Sequence, residues 1–305
     1  MPKAVVINRF GGPEVLELVD RPLPPLEPGH VRVRIKAAGI QPVDFHIRRG
    51  MAPQGMTLTF PITLGNEYAG IITELADDVE GLAGGDEVLG FQALSCHAEE
   101  AVVLASQLVA KPAEMPWTVA GSLSASGQTA QIALEFLRVG EGDTLLIHGA
   151  AGGVGSAAVQ LARHLGATVV GTASERNHEH LRSLGAIPVT YGDGLVERVR
   201  AVAPGGVTAV FDCAGGEQTL IASVELCGDR SRIGTIAAYE EAGKYGVERI
   251  AGPRSAARLA GLVGLWEKGD LRVTVSRTFH LDEAAEAHRL VEARHLTGKM
   301  VFVND

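Results

Sequence analysis

The sequence predicts an α/β protein in which a β-rich unit is followed by a doubly wound parallel sheet. Three observations carry this. An apolar run meets clustered glycines in Leu145-Leu146-Ile147-His148-Gly149-Ala150-Ala151-Gly152-Gly153-Val154-Gly155, and a helical pattern then places Val154, Ala158, Leu161, Ala162 and Leu165 on one face. Strand-like and helix-like segments alternate from residue 144 to 236, the mark of a parallel sheet covered by helices. Before residue 115, many short β-type segments are separated by Gly- and Pro-rich turns, as in a small barrel.

In chain order, residues 3–8, 15–19 and 31–38 read as strands. Arg21-Pro22-Leu23-Pro24-Pro25-Leu26-Glu27-Pro28-Gly29 can form neither an interior strand nor a helix, so it is a loop. Residues 68–75, 87–91 and 98–104 are further strands, and 116–138 is helical in character. Strands are expected at 144–148, 168–172, 187–190, 207–213 and 229–236. Helices are expected between them at 154–165, 177–184, 195–202 and 217–226. Residues 238–252 are irregular. A helix at 253–268 precedes a strand at 273–279, a helix at 282–293 and a strand at 299–303.

Composition narrows the function. A hydrophobic content of 46% with 21% charged residues can bury a sizeable core, and 305 residues suit two domains. The net charge of −9, with no basic run longer than Arg48-Arg49, argues against nucleic acid or an anionic membrane as partner. The three cysteines, Cys96, Cys213 and Cys227, are scattered, which suits a reducing cytoplasm. The opening Met1-Pro2-Lys3-Ala4-Val5-Val6 lacks a signal-peptide core, and no stretch is apolar enough to span a membrane.

The glycine turn carries the chemistry. Between a buried strand and a helix, glycines let backbone N–H groups approach a diphosphate, with the helix N-terminus adding a favourable field. Ala150, Gly152 and Gly155 follow the dinucleotide-binding spacing, with Ala in the first Gly place, and Ala151, Gly152, Gly153 and Val154 line the turn. An NAD-binding fold places an acid at the end of the next strand to hold the ribose 2′-OH. Here that strand ends Gly171-Thr172-Ala173-Ser174, with Glu175 and Arg176 beyond. A small polar residue, Ser174, beside the cation Arg176 suits a 2′-phosphate, so the expected cofactor is NADP(H). Ser174 as a helix N-cap is the alternative reading.

The order of parts resembles the medium-chain dehydrogenase/reductase superfamily, and within it the zinc-independent quinone oxidoreductase group. The resemblance rests on Ala37-Ala38-Gly39-Ile40-Gln41-Pro42-Val43-Asp44, on Pro61-Ile62-Thr63-Leu64-Gly65-Asn66-Glu67-Tyr68-Ala69-Gly70 and on the glycine turn. It extends to Phe211-Asp212-Cys213-Ala214-Gly215-Gly216 and to the tail from Ala287-His288 to Thr297-Gly298-Lys299. It implies a GroES-like catalytic domain built from both ends of the chain, at 1–118 and 266–305, around a Rossmann domain at 119–265. It also implies a homodimer, for which 233–238 and 273–279 are candidate surfaces.

The zinc alcohol dehydrogenases of this superfamily carry Cys in the place of Gln41 and His in the place of Asn66. Both are amides here, and Val43 stands where their relay hydroxyl would be, so no metal is expected. The pair His178-x-His180 reads as solvated rather than as a metal site. Without a Lewis acid, alcohol oxidation is hard, whereas hydride transfer to an electron-poor quinone or conjugated alkene needs mainly position and electrostatics. A quinone or enone-type substrate is therefore expected. Enoyl or alkenal double-bond reduction is one alternative, and an NADPH-binding sensor or structural protein with little turnover is another. His46 is the candidate proton donor, with a helix-surface role as its alternative. Tyr68 is a second donor candidate, and Asp44 is expected to organise the cleft. The resemblance places Gln41 on the nicotinamide side, Thr129 near the nicotinamide phosphate and Tyr191 beside a 2′-phosphate. Ala214, Gly215, Ile233 and Thr235 follow or end later strands, where ligands collect. Residues 238–246 are expected to border the pocket, and Cys213 reads as core.

Overall fold

The computed structural model describes residues 1–52, 55–293 and 297–305. In chain order it contains β1 (Lys3–Ile7), β2 (Leu16–Asp20), β3 (His30–Ile40), α1 (Pro42–Arg48), β4 (Ile62–Thr63), β5 (Glu67–Leu75), β6 (Glu87–Phe91), β7 (Glu100–Leu104), β8 (Leu108–Ala110) and α2 (Trp117–Phe136). Then follow β9 (Thr144–His148), α3 (Gly153–His164), β10 (Thr168–Ala173), α4 (His178–Ser183), β11 (Ile187–Thr190), α5 (Leu195–Val202), β12 (Ala209–Asp212), α6 (Glu217–Leu226) and β13 (Ile233–Thr235). The last elements are α7 (Ala242–Tyr245), β14 (Glu248–Arg249), α8 (Ala256–Glu267), β15 (Val275–Phe279), α9 (Ala284–Glu292) and β16 (Lys299–Val303).

Contacts divide these elements into two compact units. Unit 1 comprises 1–125, 255–264 and 273–305, and unit 2 comprises 126–254 and 265–272. The expected division at 118/119 and 265/266 differs from this, because the boundaries fall inside α2 and α8.

In unit 1, β15, β16, β3, β5, β6 and β8 run side by side in one sheet, and β7 also pairs with β3. A smaller sheet has the order β2-β1-β4. The alternation Val31, Val33, Ile35 turns one face of β3 onto a core shared with Tyr68, Ile72, Val88 and Val103. A second core joins Val5, Ile40 and Phe45 to Phe279 and Phe302, so the end of the chain closes the interior begun near its start. Each buried phenylalanine contributes about 1.5–3 kcal/mol.

In unit 2 the strands lie in the order β11-β10-β9-β12-β13-β14, all parallel. Residues Leu145, Leu146 and Ile147 of β9 are fully buried, as a central strand covered on both faces requires. The chain leaves β9 in one direction, to β10 and β11, then returns to the other side at β12. That reversal opens a crevice at the carboxyl ends of β9 and β12, where such sheets bind ligands.

The reading of 238–252 as irregular misses α7 and β14. β14 is two residues long, polar and exposed, so it carries no apolar period. The run at 233–238, a candidate dimer surface, does not present a free sheet edge. β13 lies between β12 and β14, and Ile233 is fully buried. Among the described residues no helix is long and apolar enough to cross a membrane. Residues 294–296 of the family-like tail lie outside the described residues.

Candidate active site

In unit 1 the candidate residues gather where β3 passes into α1. Pro42 suits the first helical turn, since its missing N–H would have no partner there. Asp44 caps the same turn, accepting from Gln41 N at 2.7 Å and from Gly65 N at 3.1 Å. It is 1% exposed, and burial pushes its carboxyl upward against the pull of His97, whose Nε2 lies 3.8 Å away. With both oxygens committed to backbone N–H groups, Asp44 positions the Gln41 loop and is not a base.

Beside it lies a buried carboxylate that sequence reading passes over as a leftover. Glu67 is fully buried and accepts from the Gln41 side-chain amide, from Ala125 N at 2.6 Å and from Lys299 Nζ at 2.8 Å. Lys299 is itself 5% exposed. Gly39 is required here, because a Cβ at that position would overlap the Glu67 carboxylate. The network orients Gln41, itself buried, by its Nε2.

His46 sits partly exposed on α1, its ring against Phe45 with centroids 4.3 Å apart. Tyr68 is different. It is fully buried in the barrel core, its hydroxyl has no hydrogen-bond partner, and burial raises its pKa well above the usual phenol value. A phenol sealed in apolar packing cannot serve a substrate, so Tyr68 leaves the donor set. Strand alternation pointing Tyr68 inward was the signal for this.

His97 and His288 were also missed. His97 Nε2 lies 3.1 Å from the Gly39 carbonyl and must carry the proton there. The ring centroids of His97 and His288 are 6.2 Å apart. Both nitrogens of His288 and Nδ1 of His97 are buried without a hydrogen-bond partner among the described residues. Burial, then the nearby His97 and Arg48, hold His288 well below the ordinary imidazole pKa.

In unit 2 the glycine turn follows β9. Gly149 takes φ +70°, a conformation that favours glycine, and a side chain there would crowd Ala214 N at 3.2 Å. Gly149 thus makes the tight turn, which explains why Ala150 is tolerated in the first Gly place. Gly152 caps α3 through its carbonyl, which accepts from Ser156 N at 2.8 Å. A Cβ on Gly155 would overlap the Gly149 carbonyl, so glycine there lets helix and turn touch. The N–H groups of Gly153, Val154 and Gly155 open the helix and have no intrahelical acceptor. With Ala151, they form a cradle for an anion.

Thr129 is the one partly exposed residue in the buried run from 121 to 130 of α2. Asp212, another residue missed from sequence, ties together the turns after β12 and β13. Its Oδ1 accepts from Ala214 N and Gly215 N, each at 3.0 Å, and its Oδ2 accepts from Thr235 Oγ1 at 2.7 Å. The Thr235 hydroxyl in turn accepts from Ala237 N at 3.0 Å and Ala238 N at 2.9 Å. Thr235 is therefore a structural tie, and Ile233 is core. Neither side chain faces a ligand. Ala214 and Gly215 remain partly exposed at the crevice. Cys213, read as core, is only half-buried and lies outside the described core clusters, although burial and Asp212 push its thiol pKa up.

At the far end of the crevice, Ser174 stands at the N-cap of the short turn 175–177, as the alternative reading has it, but holds it through its carbonyl, which accepts from Asn177 N at 2.9 Å, and its side chain makes no cap bond. Arg176 and Tyr191 are exposed. His178 and His180 are not a solvated pair. His180 Nε2 is 3.1 Å from Ser156 Oγ, and His178 Nε2 is 3.4 Å from Thr190 Oγ1. Among the described residues no cluster of three or more His, Cys, Asp or Glu side chains could hold a metal ion.

Comparison with known proteins agrees with this arrangement. Residues 27–134 match the alcohol dehydrogenase GroES-like domain, and residues 184–302 match the zinc-binding dehydrogenase family. A quinone oxidoreductase of Pseudomonas aeruginosa is 32% identical over 99% of this chain and 100% of its own length. A spectinabilin polyketide synthase system protein of Streptomyces orinoci is 36% identical over 96% of this chain, which spans 14% of that protein. The solved quinone oxidoreductase of Coxiella burnetii superposes with a TM-score of 0.88 at 32% identity, covering 100% of this chain and 99% of that one. A mycobacterial protein solved as a complex with NADPH gives 0.89 at 27% identity, covering 99% and 100%. The crevice, the glycine turn and these full-length likenesses converge: the chain belongs to the zinc-independent quinone oxidoreductase group of the medium-chain dehydrogenase/reductase superfamily.

Proposed function

We propose that the protein is an NADPH-dependent oxidoreductase that reduces a quinone or a similarly activated conjugated acceptor without a metal. One observation carries the metal-free part. The amides Gln41 and Asn66 stand where zinc relatives have ligands, and the remaining acid, Glu67, is closed by three donors including the Lys299 ammonium. A cation placed on that carboxylate would have to displace an ammonium already paired with it.

A nicotinamide bound here supplies hydride. The chain's own residues bind and orient it: Ala151, Gly153 and Val154 offer N–H groups to the diphosphate beside Gly152, whose own N–H is held by Gly149 O, and Ser174, Arg176 and Tyr191 suit a 2′-phosphate. Within unit 2, Thr129, Ala214 and Gly215 complete the set on the nicotinamide side. A reduced acceptor also needs a proton, and His46, partly exposed on α1, is the residue we propose gives it. Quinone, hydride and proton together yield the hydroquinone.

The likeness to a segment of a polyketide synthase protein favours a second reading, reduction of an enoyl thioester by the same hydride step. The test is an activity screen with EDTA present, pairing NADPH and NADH with 1,4-benzoquinone, 9,10-phenanthrenequinone, a 2-alkenal and an enoyl thioester. NADPH oxidation with the quinones supports the first reading. Oxidation with the alkenal or thioester alone moves the assignment to double-bond reduction. Binding without turnover brings forward a sensor or structural role. Two copies pairing along the edge strand β15 would make the expected homodimer, and a monomer in sedimentation at micromolar concentration would exclude it.

A further inference from the structure

We propose that Arg198 is a specificity-determining residue for the adenosine end of the dinucleotide, acting by fixing the turn that presents Tyr191. The proposal rests on the reading that unit 2 takes a 2′-phosphorylated adenosine.

β10 and β11 are neighbours, and Ala173 pairs with Thr190. The next residues, Ser174 and Tyr191, therefore leave the sheet side by side. Beyond Tyr191 the chain reverses at Gly192, φ +91°, and Gly194, φ +73°, before entering α5. One turn into α5, Arg198 reaches back to the sheet. Its Nε donates to Thr190 O at 3.0 Å, and its Nη2 to Gly192 O at 3.2 Å and Tyr191 O at 3.4 Å. Three successive carbonyls thus converge on one guanidinium. All three bonds spend its N–H groups on backbone oxygens of this one turn. Thr190 is also held from its side chain, with Oγ1 3.4 Å from His178 Nε2.

The outcome is an aromatic ring that is 55% exposed yet carried on a backbone held at three points. Presenting a ring in this way lowers the ordering cost of binding. A flat purine bearing a phosphate fits the surroundings: Tyr191 offers a ring face and a hydroxyl, and Ser174 and Arg176 offer donors. Arg198 adds a fixed positive charge behind them. Its planar fork matters, because a lysine keeps the charge but cannot span three carbonyls in the same way.

The test uses the full chain and two probes, adenosine 2′,5′-bisphosphate and 5′-AMP, titrated by calorimetry. The unaltered protein is expected to prefer the bisphosphate. Arg198→Lys is expected to reduce that preference about five- to tenfold while leaving 5′-AMP affinity within about twofold. In a Tyr191→Ala background the same change is expected to have little further effect, because Arg198 acts through Tyr191. An undiminished preference in Arg198→Lys overturns the proposal, as do losses that simply add. If Arg198→Ala does not fold, Arg198→Lys still decides. No preference in the unaltered protein would remove the 2′-phosphate reading beneath the proposal, a result distinct from the failure of Arg198 alone.

Discussion

Lys299→Met isolates the buried charge pair beneath the candidate site. At 2.8 Å and an effective dielectric of about 20, the attraction between Lys299 Nζ and Glu67 Oε1 is about 6 kcal/mol before desolvation. The lysine already loses much of its hydration, so the net worth of the pair is smaller. The perturbation is different in kind: it leaves a fully buried carboxylate with two neutral donors and no counter-charge. Breaking one side of such a pair costs about 3–5 kcal/mol. The assay is urea unfolding of unit 1, followed beside that of unit 2. The unit 1 midpoint is expected to fall sharply in Lys299→Met and the unit 2 midpoint to stay. The double variant Glu67→Gln/Lys299→Met removes both charges and is expected to recover most of the loss. Refutation would be a cost below about 1 kcal/mol for Lys299→Met, or a double variant as unstable as the two single losses summed.

Four further expectations follow from the same structure. His288 is held neutral in the fold, its pKa below the unfolded value of about 6.5; its contribution is present above that pH and lost as pH falls, so His288→Leu should flatten the decline of unit 1 stability between about pH 6.5 and 5, read by denaturant midpoints. Asp143 takes two 2.8 Å bonds from Arg232, one of 2.7 Å from Thr208 Oγ1 and one of 2.9 Å from Gly140 N, and the Arg232 bonds above all hold its pKa well below the usual carboxylate value. That stability is present above about pH 4 and lost progressively as pH falls toward the folded value, so Asp143→Asn should cost about 1.5–3 kcal/mol at pH 7 and clearly less at pH 2, as acid-titrated unfolding of unit 2 would show. Gly155→Ala should weaken NADPH binding at least tenfold in fluorescence titration, since its Cβ must push the Gly149 turn away from α3. His46→Asn should lower kcat for quinone reduction by about 10²–10⁴ with little change in the NADPH dissociation constant, and an unchanged kcat would remove it as donor.

Much of the fold was legible because period and punctuation agree along it. β6 is found at the residues read from the sequence, and β9 falls between an apolar run and Gly149. The dinucleotide turn was legible for the same reason, since its glycines are forced by local sterics. The acid cluster was not. Glu67 and Lys299 are 232 residues apart and meet only because β16 pairs with β3. Nothing local to either distinguishes a buried charge from a solvated one. Tyr68 was misjudged because the residue type suggested chemistry while the alternation of β5 decided its face. Ile233 and Thr235 were misjudged because a strand end near a crevice does not say which side chains turn toward it. Arg198 lies on an amphipathic helix whose polar face reads as solvated, and only the returning turn shows what it grips.

The strand β16 lies between β15 and β3, so unit 1 closes its main sheet with residues made after all of unit 2. The first 125 residues leave the ribosome with a hydrophobic seam still open along β3 and with Glu67 still without Lys299. About 180 further residues must follow. At about 5–20 residues per second this takes roughly 9–36 s. Unit 2 is nearly all synthesised within that interval and can fold while the earlier segment waits. The nascent chain is thus a completed nucleotide-binding half joined to an unfinished barrel, and the open edge of β3 is where chaperones, or a second nascent chain, would first find it.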